Sequence, residues 1–532
     1  MGRFVNPDNS AFKGASKDRI YVDKTGLLKY TNEVLETPSA FICNSRPRRF
    51  GKSLAANMIA AYYTKGADSR ELFASLEISS SPNYEKHLNK YDVIHLDIQE
   101  CIDPAGGPEK IVSYIRKEVI RELEKYYPET VSRRDRSLFD VLSRIYDETG
   151  SRFVIIIDEW DVLIRDDANN SKVQDEYISF LRSIFKGAQS SRFIALAYLT
   201  GILPIKKVQT QSALNNFSEY TILDAGPLAE YIGFTEEEVQ ALSEKYGVDY
   251  AEVKRWYDGY LVDGRHIYNP RAVVSVMLSG KFRSYWSDTS SYKAIVPLIN
   301  MNYAGLREAV LETVSGGEVS VDIDDFQNDV VSFASRDDVL TYLIHLGYLA
   351  YNEKKKTAFI PNEEIRLEMN SAVKKRDWSE RTAFMERSQA LFEATLDKNG
   401  KKVAEDIEKI HNDYVSSIKY NDENSLSGVL TIAYLASMDY YFKPIREFPS
   451  GKGFADFVYI PRKECAEEYP ALVVELKWNK DAESAIDQIK AKKYPDSIKD
   501  YTDNILLVGI SYDKKSGKHE CIIEALRRTF YT

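Results

Sequence analysis

Ala40-Phe41-Ile42-Cys43-Asn44-Ser45-Arg46-Pro47-Arg48-Arg49-Phe50-Gly51-Lys52-Ser53 opens on a short apolar run, breaks at a polar, proline-containing loop, and leads into the helix-forming residues 54–63. Strand, loop, Gly-Lys-Ser and helix in that order make a phosphate cradle. Loop N–H groups and the helix N-terminus meet phosphate oxygens, where the helix dipole also favours negative charge. Arg48, Arg49, Phe50 and Gly51 are the expected loop contacts, Lys52 would reach the terminal phosphates, and the Ser53 hydroxyl would ligand Mg²⁺. The usual pattern carries a glycine five residues before Gly51, and Arg46 stands there instead, restricting that turn to negative φ unless strain is accepted. A Gly-Lys-Ser triplet is common by chance, so it needs support from elsewhere in the chain.

That support is Phe153-Val154-Ile155-Ile156-Ile157-Asp158-Glu159, a wholly apolar strand ending in two acids. With the runs at 40–43, 93–98 and 193–199, it makes a set of short apolar segments separated by longer amphipathic ones. Such segments are buried parallel strands joined by crossover helices, an α/β architecture. In a phosphate-binding fold of this order Asp158 completes the Mg²⁺ shell, and Glu159 orients or deprotonates the attacking water. The same acids would also mark the turn and cap the next helix in a purely structural strand. Thr200, at the end of the 193–199 run, is placed to sense a γ-phosphate or simply to close its strand.

Composition narrows the partners. A chain of 532 residues is too long for one core and predicts several domains. No apolar run approaches the eighteen or so residues that cross a bilayer, and residues 1–19 lack an apolar signal core. Four scattered cysteines without a CxxC pair predict neither a zinc knuckle nor a disulfide framework, so a reducing cytoplasm is expected. The net charge of −10 argues against coating nucleic acid non-specifically. Residues 401–532 hold 20 Lys and Arg against 22 Asp and Glu, a balance of 20 − 22 = −2. Any nucleic-acid groove must therefore be assembled by folding.

Residues 231–285 turn helical and aromatic. Residues 335–370 read as a helix, two short strands around a charged turn, and a second helix, the order of a winged helix that touches DNA or packs on a neighbouring domain. The charged segment 374–387 suits a linker or a solvated helix. From about 405 the pattern is helix, three strands, helix, strand, with strands expected at 441–448, 454–460, 472–478 and 505–511 and helices at 423–437 and 481–494.

Within that frame Asp456 lies in the second strand, and Glu475 and Lys477 lie two apart in the third, on one face. Two carboxylates suit Mg²⁺ or Mn²⁺, and Lys477 suits positioning a water or offsetting charge. Glu-x-Lys spacing alone is weak, since Glu252/Lys254 and Glu353/Lys355 share it. The apolar setting of Val473, Val474 and Leu476 marks the difference, because burying such charges is expensive without compensation. A structural Lys–Glu pair is the plain alternative.

Several motifs together carry a resemblance. They are Tyr21-Val22-Asp23-Lys24-Thr25, 46–53, Leu199-Thr200-Gly201-Ile202, Trp256-Tyr257-Asp258-Gly259-Tyr260, and Phe448-Pro449-Ser450-Gly451-Lys452-Gly453-Phe454-Ala455-Asp456 with Glu475-Leu476-Lys477. The chain resembles bacterial AAA-ATPase-like proteins that end in a PD-(D/E)XK nuclease domain. The resemblance implies an α/β multidomain protein: a P-loop domain over 1–230, a helical lid-like region over 231–285, a winged-helix-like domain over 286–385 and a restriction-endonuclease-like α/β domain over 386–532. It implies ATP and Mg²⁺ or Mn²⁺ as cofactors and nucleic acid, DNA first, as partner, with a homo-oligomer possible and no membrane. Glu423 would supply an acid from the first nuclease helix, and Gln488 and Tyr494 would surround the site.

Overall fold

The computed structural model describes residues 1–526 apart from 167–169, 206–213, 287–291, 302, 325, 327–332, 375–378, 415–422, 451–452, 499–501 and 503. The chain divides into two compact units, residues 1–285 with 321–351, and residues 286–320 with 352–532. Among the described residues no helix is long and apolar enough to cross a membrane.

The first unit is built on five strands, β1 (Phe41–Ser45), β2 (Asp92–Asp97), β3 (Phe153–Asp158), β4 (Ile194–Gly201) and β5 (Ser218–Tyr220), in the order β2-β3-β4-β1-β5. Every neighbouring pair is parallel. β1, β3 and β4 are buried along their whole length, as expected of a parallel sheet covered on both faces. The expected apolar runs thus became strands. β5 escapes a sequence reading because Ser218-Glu219-Tyr220 is a short, half-buried edge.

Amphipathic helices at Ile111–Tyr126, Leu138–Thr149 and Ser171–Phe185 pack on the sheet and share one core with it. Local capping fixes their ends. Ser137 accepts the Asp140 N–H, and Asn170 accepts that of Val173.

Residues 231–285 add a small antiparallel sheet, β6 (Phe234–Thr235), β7 (Tyr260–Val262) and β8 (Arg265–Tyr268), ordered β6-β8-β7. Three helices surround it, Glu236–Tyr246, Tyr250–Tyr257 and Pro270–Ser279. Thr235 and Glu238 cap the first reciprocally, and Asn269 with Pro270 starts the third. Further along come β9 (Val319–Ser320), the helix Arg336–Leu346, β10 (Ala350–Asn352), β11 (Thr357–Phe359) and the helix Glu363–Lys374. β9 pairs antiparallel with β11.

The second five-stranded sheet contains β12 (Ile445–Ser450), β13 (Gly453–Tyr459), β14 (Ala471–Trp478), β15 (Ile505–Asp513) and β16 (Lys518–Ala525), in chain order. Only β14 and β15 run parallel, and the helix Ala482–Lys492 makes their crossover. Helices Gly400–Tyr414 and Glu423–Ala433 accompany this sheet. Alternate residues Leu472, Val474 and Leu476 enter a core shared with Phe457, Leu426 and Leu430, which leaves Glu475 and Lys477 on the other face. The crossover helix ends at Lys492 rather than 494, because Lys493 turns left-handed at φ +56° and Tyr494-Pro495 begins a 3₁₀ turn.

Candidate functional site

The loop of residues 46–51, expected to bind phosphate, lies at the carboxyl edge of the parallel sheet, between β1 and the Lys52–Tyr63 helix. In doubly wound sheets ligands bind outside that edge. The loop turns left-handed at Arg49, φ +70°, and at Gly51, φ +92°. Gly51 is the helix N-cap, with no atom near its missing Cβ, so backbone conformation and not space calls for glycine there. Arg46 is not among the left-handed residues. Its side chain is fully buried, donating through Nη1 to the carbonyl oxygens of Ser45 at 2.9 Å and Tyr220 at 3.1 Å. Arg46 therefore pins β1 to β5 without the backbone strain its position suggests. Its Nε and Nη2 have no hydrogen-bond partner, and burial pulls its pKa down to about 10.

Lys52 is buried and donates from Nζ to the Pro47 carbonyl oxygen at 3.0 Å. Burial lowers its pKa, while Glu159, Asp158 and Asp161 favour its charge. The loop carbonyl thus occupies one donor of the side chain expected to reach phosphate. Ser53, in the helix's first turn, is exposed.

Asp158 ends β3 and is buried. It accepts the Thr200 hydroxyl and the Glu159 N–H. Strand order explains the meeting: β4 lies between β1 and β3, with Asn44 beside Thr200 and Ile157 beside Leu199. Gly201 follows because a Cβ there would come within 2.6 Å of the Trp160 ring and 2.7 Å of Asp161 Oδ1. Arg48 and Arg49 are half-buried, and Arg49 donates to the Tyr285 carbonyl oxygen. Phe50 is buried edge-on against Tyr260, 5.3 Å between centroids.

Four features here carried no motif in the sequence. Arg165 is buried between Glu159, at 3.4 Å, Asp161 at 3.1 Å and Asp166 at 2.9 Å. Burial opposes its charge, but these acids outweigh burial and raise its pKa. Asp161 also accepts the N–H groups of Ile202 and Leu203 at 3.1 and 2.9 Å, so one acid joins the β3 turn to the end of β4. Asp97 ends β2 beside Asp158, and burial, reinforced by Asp158, pushes its pKa up to about 6. Finally, a cavity of about 250 Å³ opens beside the loop, lined by Phe12, Tyr21, Lys24, Gly51, Leu54 and Phe234 among others. Its walls come from distant parts of the chain, which hides it from a linear reading.

The second site stands on β13, β14 and the crossover helix. Asp456 Oδ2 accepts the Leu476 N–H at 2.7 Å. Glu475 is buried, and its Oε1 accepts Lys477 Nζ at 2.9 Å and the Gln488 amide. Lys477 Nζ also donates to the Leu476 carbonyl oxygen at 2.9 Å, and Gln488 to the Tyr494 hydroxyl at 3.3 Å. Asp456, Glu475, Lys477, Gln488 and Tyr494 are therefore brought together. The helix expected to carry Glu423 begins at that residue, whose side chain lies outside the described residues.

Glu475 Oε2 is buried without a hydrogen-bond partner. Burial, then Asp456, pushes the Glu475 pKa up to about 7. An orphaned buried carboxylate oxygen is costly unless a cation or donor meets it. Among the described residues no three His, Cys, Asp or Glu side chains group to hold a metal. Mg²⁺ keeps several waters and often takes only one or two carboxylates, so Asp456 and Glu475 fit it. In such a place a divalent ion polarises a phosphoryl oxygen and makes bound water more acidic.

Residues 11–210 match the family described as predicted AAA-ATPase, and residues 421–521 match the PD-(D/E)XK nuclease superfamily. The chain thus joins an AAA-ATPase-like domain to a domain of the PD-(D/E)XK nuclease superfamily. It is 24% identical, over 398 residues covering 71% of either chain, to the "Uncharacterized protein in vnfD 5'region" of Azotobacter chroococcum mcd 1. Two structures of the Aeropyrum pernix ORC2 protein, the ADPNP-ADP complexes and the ADP form, share 12% and 11% identity with it. They cover 67% and 69% of this chain and 96% and 97% of their own, at TM-scores of 0.28 and 0.27, too low to define a common fold.

Proposed function

We propose that the protein is a nucleoside-triphosphate-binding, Mg²⁺-dependent nuclease, with ATP at the N-terminal loop and phosphodiester cleavage at the C-terminal sheet. The reading rests chiefly on one observation, the convergence of Asp456, Glu475, Lys477 and Gln488 around an unpartnered buried carboxylate oxygen. Asp456 and Glu475 hold the ion. Lys477, 2.9 Å from Glu475, carries the charge that meets a developing phosphorane and orients the attacking water. Gln488 fixes the Glu475 carboxylate, and Glu423 is the further acid the family resemblance assigns here. In the nucleotide site, Lys52 and the N–H groups of residues 48–53 hold phosphates. Ser53 and Asp158 take the ion there, Glu159 positions water, and Thr200 reads the γ-phosphate through Asp158. Joining both sites in one chain makes nucleotide the natural gate of cleavage.

A second reading, a switch that binds nucleotide without turnover, is favoured by Lys52 donating to the Pro47 carbonyl oxygen. The test is a gel assay of the full chain with DNA or RNA, Mg²⁺ and ATP. Cleavage by wild type, lost in Asp456→Asn and altered in Lys52→Ala, is the expected result. Cleavage by Asp456→Asn equal to wild type overturns the catalytic assignment, and ATP retained without hydrolysis moves the N-terminal site to the switch reading.

A further inference from the structure

Phe454 is 62% exposed, the most open large apolar side chain among the described residues. It lies in β13 two residues before Asp456, and alternation sends both side chains off the same side of the strand. Burial along β13 agrees: Ala455 and Phe457 are buried, Asp456 is half-buried and Phe454 is open. A phenylalanine left in water forgoes roughly 1.5–3 kcal/mol of burial, a cost that a ligand beside the site would recover.

The surroundings favour one kind of ligand. A Cβ on Gly453, the residue before Phe454, would lie 3.1 Å from the Tyr494 hydroxyl and 3.6 Å from the Lys492 stem. The end of the crossover helix and the turn after it therefore bring the Lys492 stem and the Tyr494 hydroxyl to the start of β13, one residue from Phe454, and Lys493 beside them is exposed. An open aromatic face with a cation alongside is the arrangement that takes a nucleobase and its phosphate. Inside a duplex both faces of a base are already stacked, so only an unpaired or terminal base offers one.

We infer that Phe454 is a base-stacking platform that seats an unpaired nucleotide next to the Asp456 and Glu475 carboxylates, so that the substrate is single-stranded nucleic acid or a frayed end. The inference rests on the nuclease reading above and specifies its substrate class.

The test uses the full chain as wild type, Phe454→Ala and Phe454→Trp, with a single-stranded oligonucleotide and a blunt duplex of the same sequence. With Mg²⁺, wild type is expected to cut the single strand faster than the blunt duplex. Phe454→Ala should cut it about tenfold more slowly, chiefly through KM. With Ca²⁺ in place of Mg²⁺, the added tryptophan emission of Phe454→Trp, read as its difference from wild type, should fall on adding the single strand and not the duplex. Wild-type cleavage that Phe454→Ala leaves unchanged overturns the inference, as does faster cutting of the blunt duplex. If wild type cuts neither substrate, the nuclease reading has failed, and the fluorescence decides alone: quenching by the single strand keeps the platform, and an unchanged signal removes it.

Discussion

Glu475 and Lys477 stand 2.9 Å apart on one face of β14, and the second oxygen of Glu475 has no hydrogen-bond partner. A lysine on one oxygen lowers the carboxyl pKa, yet burial and Asp456 win and set it near 7. A folded pKa above the unfolded one, about 4.3, means stability fully present below the unfolded value and lost as pH rises through 7. Glu475→Gln removes that loss. Without metal, its C-terminal unit should unfold at the same temperature as wild type near pH 4.5 and several degrees higher at pH 8. Added Mg²⁺ at pH 8 should raise wild type and not the variant, since an ion bound only by the folded state stabilises it. Equal curves at pH 8, measured by thermal unfolding in EDTA, would show that the carboxyl ionises there at no cost.

Gln488 bonds to Glu475, the carboxylate proposed above as a metal ligand. Its amide donates to Glu475 Oε1 and to Tyr494. Partners of this kind orient a ligand, and their loss typically costs about 10–100-fold in affinity or activity. Gln488→Ala should raise the Mg²⁺ concentration for half-maximal cleavage by about that factor while excess Mg²⁺ restores much of the rate. Asp456→Asn should not be rescued by any Mg²⁺ concentration. Identical Mg²⁺ titrations for wild type and Gln488→Ala would remove Gln488 from the site.

Both sheets could be read from sequence where residues carry period and punctuation together. The buried runs around Ile42, Ile156 and Ala197 became β1, β3 and β4, and Glu475 stood out because its neighbours are apolar. β5 and β16 were illegible for one reason: these edge strands, Ser218-Glu219-Tyr220 and the one opening on Lys518-His519-Glu520, carry polar residues where an alternating or continuous apolar pattern would mark a strand. Arg165 went unread because nothing local marks it. Its importance comes from three acids that a single helical turn and the β3 end bring around it. Arg46 shows the converse. A residue that breaks the loop pattern looked like a source of strain, and the fold absorbs it as a buried pin to β5.

Arg165 gives the proposed nucleotide site a testable dependence. Glu159 takes a left-handed backbone, φ +51°, and its carboxylate is held by Arg165 while facing Lys52. A non-glycine residue holds such a conformation only where its surroundings over-determine it. Arg165→Met frees the carboxylate, so ATP hydrolysis should fall about 10²-fold, the scale of a mispositioned base, with nucleotide affinity kept. Arg165→Lys should recover part of the rate, and combining Arg165→Met with Glu159→Gln should cost little more than Glu159→Gln alone. Additive losses in that cycle, or affinity falling in step with turnover, would mean that Arg165 supports the fold and not Glu159.

Glu363 is the charge on which the second unit's interior turns. It is buried and lies 2.7 Å from Arg366, with Arg462 on the same oxygen. Arg366 also donates to the Tyr441 carbonyl oxygen at 2.8 Å, so the group ties the Glu363–Lys374 helix to the chain just before β12. Burial alone would raise the Glu363 pKa, but Arg366 and Arg462 hold it below the ordinary carboxylate value. A depressed folded pKa means stability present above the unfolded pKa and lost as pH falls through the folded one. Removing the acid strands two buried guanidinium groups, so Glu363→Ala should destabilise this unit by about 3–5 kcal/mol. The penalty should shrink as pH falls below the unfolded carboxyl value of about 4.3, since wild type then begins to lose the same interaction. Glu363→Asp, which keeps the charge on a shorter arm, should lie between. Urea unfolding at pH 7 and pH 3 measures both, and a penalty under 1 kcal/mol or one independent of pH would show that water reaches the two arginines once the acid is gone.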